Sequence, residues 1–168
     1  SGNVLVIKFF VSDLKTSFTD EEEAAFGEKI ETSVNFIRDE AKRYGNNVHL
    51  TYSSAYFEHS GFISDRIIDF DADFAETGFG TLRKFAEANY DLTQYDNYFF
   101  VVCFNKELET SFECYEGTKE TAHYFGERVC IGTNATEHEI CVSVLSLLGA
   151  VNFENELCSD YLKSLYKY

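Results

Sequence analysis

An α/β or α+β domain built on a mixed β-sheet is the fold this sequence predicts, and three features carry that expectation. Apolar runs rich in β-branched and aromatic residues recur at Val4 to Val11, Val48 to Phe57 and Tyr98 to Phe104. A long amphipathic stripe fills the interval between the first two runs, and a nearly all-apolar helical stretch, Glu137 to Leu148, follows the last strands. At 168 residues the chain is expected to form one domain, 1–168.

The first run, VLVIKFFV, is broken only by Lys8, the pattern of a strand covered on both faces. Thr19-Asp20-Glu21-Glu22 then forms a Ser/Thr-x-x-Glu capping box, which gives the unpaired amides of a helix start their acceptors and sets acids against the helix dipole. Phe26, Ile30, Val34, Ile37, Ala41 and Tyr44 recur every three or four residues, so one face of that helix is expected in the core, with Gly45 as its stop. Val48 to Phe57 is a second strand. Ile67 to Phe74 (IIDFDADF) reads as a third, with Asp69, Asp71 and Asp73 on one solvated face; the glycine and glutamate of a calcium loop are replaced by Phe74 and Gly80. Thr81 to Tyr90 suggests a short helix and Tyr98 to Phe104 a central strand. Shorter strands are expected around Ser111 to Tyr115 and Arg128 to Ile131, and a last helix over Leu157 to Tyr166.

Hydrophobic residues make up 45% of the chain and aromatics 17%, ample for a packed core, and no apolar run is long enough to span a bilayer. The net charge of −15 repels phosphate backbones and anionic membrane surfaces, which excludes nucleic acid and favours a basic partner. Cys103, Cys114, Cys130, Cys141 and Cys158 form an odd set with no Cys-x-x-Cys pair, and several sit in apolar runs. A reducing cytoplasm is the expected location. Ser1-Gly2 in place of an initiating methionine leaves room for a trimmed leader, and only after secretion would the sequon Asn134-Ala135-Thr136 matter.

From Arg128 the chain runs RVCIGTNATEHEICVSVLSLLGAVNFENE, a segment that resembles a zincin of the metzincin type. In that family a strand leads into a helix bearing His-Glu-x-x-His-x-x-Gly, with a third ligand three residues after the glycine. Aligned on Gly149, the two histidine positions are Val142 and Ser146, the glutamate position is Ser143 and the third-ligand position is Asn152. The resemblance extends over most of the chain through the order of N-terminal strand, long acidic-capped helix, edge-like middle section and Leu-Leu-Gly-Ala turn. It implies a mixed sheet carrying a long N-terminal helix and a zincin-type active-site helix.

The four departures define what chemistry is lost. Zinc requires nitrogen, thiolate or carboxylate donors, and an i, i+4 pair works because both side chains leave one helical face. Val142 has no lone pair, and Ser146 and Asn152 are neutral oxygen groups that compete poorly with water for zinc. Ser143 cannot take a proton from a metal-bound water near neutral pH. No catalytic residue and no cofactor is therefore expected, and the chain is expected to act as a pseudoenzyme that binds a protein or peptide.

Two further classes compete with that expectation. A hydrolase could use a relocated metal held by His138, Glu139 and His123, or a cysteine such as Cys141 or Cys114; the partner of His138 at i+4 is again Val142, and Glu139 pairs with Thr136 as a second capping box. An acidic decoy could occupy a basic surface through charge, although the acids are spread along helices and loops rather than blocked together.

Overall fold

The computed structural model describes residues 2–58, 81–115 and 125–148, and within these the side chains from 128 onward and up to 110. Strand β1, Gly2–Ser12, leads through an Asp13 turn to helix α1, Asp20–Arg43, and then to β2, Val48–Glu58. Helix α2, Leu82–Asn89, and a single 3-10 turn, Leu92–Gln94, precede β3, Asn97–Phe104. Strands β4, Ser111–Tyr115, and β5, Phe125–Ile131, are followed by α3, Glu137–Leu147. The expected strand at Ile67 to Phe74 and the helix at Leu157 to Tyr166 lie outside the described residues.

These strands form one sheet in the order β2-β1-β3-β5-β4. Four are parallel, and β4 runs antiparallel to β5 at the far edge, with a register shift between Glu113 and Cys114. Parallel neighbours demand crossovers that cover the sheet with helices, so the central strands are apolar on both faces. One face of β1 and β3 (Leu5, Ile7, Phe9, Phe100, Val102) packs under α2 through Leu82 and Ala86. The other face (Val6, Phe10, Phe99, Val101) packs under α1 and α3 through Phe26, Ile30, Val34, Ile140, Val144 and Leu147. The result is a three-layer α/β arrangement, with a mixed sheet between helices.

Both capping boxes form. Thr19 Oγ1 accepts from Glu22 N while the Glu22 carboxylate accepts from Thr19 N, and Thr136 and Glu139 repeat the exchange at α3. Gly45, at φ 84°, provides the left-handed residue that ends α1. The apolar stripe of α1 is buried only as far as Val34; Ile37 and Ala41 are half-buried, and Tyr44, the C-cap, is exposed.

Candidate functional site

Helix α3 is the element on which three of the aligned positions, Val142, Ser143 and Ser146, fall, and connections on two sides hold it in place. The β5–α3 turn is stapled to the β3–β4 loop, with Thr133 N donating to Lys106 O at 2.9 Å and Leu108 N donating to Asn134 Oδ1 at 3.0 Å. Gly132 permits this approach, because a Cβ there would stand 2.3 Å from Lys106 O and 2.8 Å from Leu108 N. On the other side, Lys29 Nζ donates to Ala135 O at 2.8 Å and the Cys141 thiol to Ser33 O at 3.2 Å, which ties α3 to α1.

Ile140, Ser143, Val144 and Leu147 form the buried face of α3. Val142 and Ser146 are brought together one turn apart on the outer side, where the Ser146 hydroxyl donates to Val142 O at 2.8 Å. Ser143 is not on that side: it is 8% exposed and packs with the core residues. Gly149, Asn152 and His123 lie outside the described residues. The outer side of α3 is apolar, with Val142 39%, Leu145 37% and Leu148 47% exposed.

His138 and Glu139 occupy the first turn of α3, exposed to solvent. One Glu139 oxygen accepts from Thr136 N and from Thr136 Oγ1, each at 2.8 Å, and these bonds hold its carboxyl below the usual glutamate range. Among the described residues no three His, Cys, Asp or Glu side chains lie close enough together to hold a metal ion. Burial pushes the Cys141 and Cys103 thiols up, away from the thiolate a nucleophile needs. The side chain of Cys114, and all of Cys158, lie outside what the structure describes.

A concave surface away from α3 was not foreseen from the sequence. A groove of about 680 Å³ runs between α1 and the β2 end of the sheet, with Asp20, Glu23, Glu28 and Glu31 on the helix side and Lys8 and Ser54 on the floor. The signal was present in the spacing, since residues 20, 23, 28 and 31 fall on one side of a 3.6-residue helix. The acids are thus less evenly spread than their distribution along the chain suggests.

The class these observations define is a three-layer α/β domain with a parallel-rich mixed sheet. No protein-family model and no curated protein matches the sequence. No helix among the described residues is long and apolar enough to cross a membrane.

Proposed function

We propose that this chain is a metalloprotease-like domain that binds a protein or peptide in place of hydrolysing it. The observation that carries the reading is the outer side of α3. Val142 and Ser146 stand one turn apart there, the relation a zinc-binding histidine pair requires, yet one is a hydrocarbon and the other donates its hydroxyl to the helix backbone. Around them Leu145 and Leu148 keep apolar surface in contact with solvent, the kind of surface a partner covers. Strand β4, antiparallel to β5 and outermost of the described strands, adds support, because an edge strand binds an extended chain through backbone amides and needs no metal.

The test is elemental analysis of the purified protein together with a peptide library read for both cleavage and retention. The expected result is sub-stoichiometric zinc, no cleavage, and retention of a subset of peptides that Val142→Asp and Leu145→Asp weaken. One zinc per chain, removed by a chelator together with peptidase activity, would overturn the reading and turn attention to His138, Glu139 and His123 as ligands.

A further inference from the structure

We propose that the outer edge of β2, together with the acidic groove beside it, takes an extended peptide segment carrying lysine or arginine at alternate positions, added to the sheet as a new strand. This surface lies at the opposite end of the sheet from β4, so the inference does not rest on the reading of α3.

Strand β2 is eleven residues long, is paired with β1 along its whole length, and is the outermost of the described strands on that side. Among the described residues no strand pairs with its other side. Such edges attract foreign strands, and proteins blunt them with lysines, prolines, bulges or shortness. The sequence VHLTYSSAYFE has neither lysine nor proline, and its register with β1 is unbroken from Gly2↔Val48 to Ser12↔Glu58. An edge this long and regular is built to accept a ladder of backbone hydrogen bonds.

The groove determines which strand fits. A strand laid along β2 would sit about 4.8 Å away and send alternate side chains to the α1 face of the sheet. On that face the neighbouring groove is lined by Asp20, Glu23, Glu28 and Glu31, four carboxylates against the single ammonium of Lys8. Lys8 is already bonded to Glu31 at 2.5 Å, leaving Asp20, Glu23 and Glu28 without a cation in the groove lining. Tyr56, 61% exposed, stacks on Phe10 with ring centroids 5.7 Å apart and donates to Glu23 at 3.0 Å. Its ring offers a face over which the aliphatic stem and charge of a lysine or arginine can lie. A second copy of this chain is a poor occupant, because each copy brings a charge of −15 and the approaching edges carry no basic cluster.

The experiment is a titration of the full chain with a short alternating Lys-Thr peptide, followed by amide chemical shifts and fluorescence anisotropy. Two further peptides carry backbone N-methyl groups on alternate residues, one in each of the two frames, and an alternating Glu-Thr peptide is the charge control. Shifts confined to Val48–Glu58 and the α1 groove are expected, with binding abolished by N-methylation in one frame and retained in the other. The Glu-Thr peptide should not bind, and the double change Glu23→Gln, Glu28→Gln should weaken the Lys-Thr peptide roughly tenfold while leaving the fold intact. Equal binding by both N-methylated peptides would leave only loose charge attraction and overturn strand addition. So would absence of binding, or a concentration-dependent dimer through β2 that the peptide does not displace.

Discussion

Lys8 shows how one residue out of pattern can be read correctly as strand and still conceal what it does. It interrupts an otherwise apolar run, and its side chain emerges on the α1 face beside Gly27, where Glu31 binds it. The ammonium lies 5.8 Å from the centre of the Tyr52 ring, whose hydroxyl donates to Asn35 Oδ1 at 3.1 Å. Burial, followed by the charge of Glu31, pushes the Tyr52 hydroxyl from its ordinary value of 10 to about 12. The unfolded chain releases that proton near pH 10 and the folded chain keeps it to about pH 12. The folded state therefore binds more protons across this window, and the stability present below pH 10 is lost as the pH rises through the folded value. Tyr56, raised chiefly by its hydrogen bond to Glu23, acts in the same direction. Unfolding free energies measured across this range should fall less steeply in Tyr52→Phe, by on the order of 1 kcal/mol after solvent screening. An unchanged slope would show that Tyr52 titrates alike in both states.

At the scale of elements, the helix starts were the most legible features, because a capping box is a local pattern with a local cause. Thr19 with Glu22 and Thr136 with Glu139 both form as the spacing implies. The turn that sets α3 against the β4 edge was not legible. Gly132 reads as an ordinary glycine after a strand, and only its approach to Lys106 and Leu108, some twenty-five residues away in sequence, reveals its role. No periodicity encodes a contact of that separation. Gly132→Ala forces this backbone pair apart and should cost about 1 to 3 kcal/mol by overpacking. Chemical denaturation would measure the loss, with amide shifts at residues 106–108 and 133–135 reporting the displaced staple. A variant as stable as the parent, with unshifted amides, would mean that the turn relaxes freely and does not position α3.

For the molecule as a whole, a mixed sheet with α1 and α3 packed on it follows from the order of apolar runs and helices in the sequence, while their sharing one face does not. Strand order and the reversal of β4 do not follow from it, since pairing depends on crossovers that composition leaves undetermined. At the candidate site, what was legible is only that residues four apart share a side, as Val142 and Ser146 do; that Ser143 turns inward with the core and Leu145 and Leu148 turn out was not. Helical phase alone does not tell which apolar residues of an all-apolar helix lack a neighbour. The proposed descent from a metalloprotease rests on the geometry of the aligned positions, so restoring their donors tests it most directly. Ser143 can stay as it is, because a glutamate there would bury a carboxylate and metal binding needs only the ligands. The measurement is calorimetric titration with zinc of the variant Val142→His, Ser146→His, Asn152→Asp, beside a control carrying the same new residues one position further along the chain. Zinc binding at about micromolar affinity or tighter in the variant, and not in the control, is the predicted result. Equally weak binding in both would contradict the account, because the aligned positions would then not converge on one point in space.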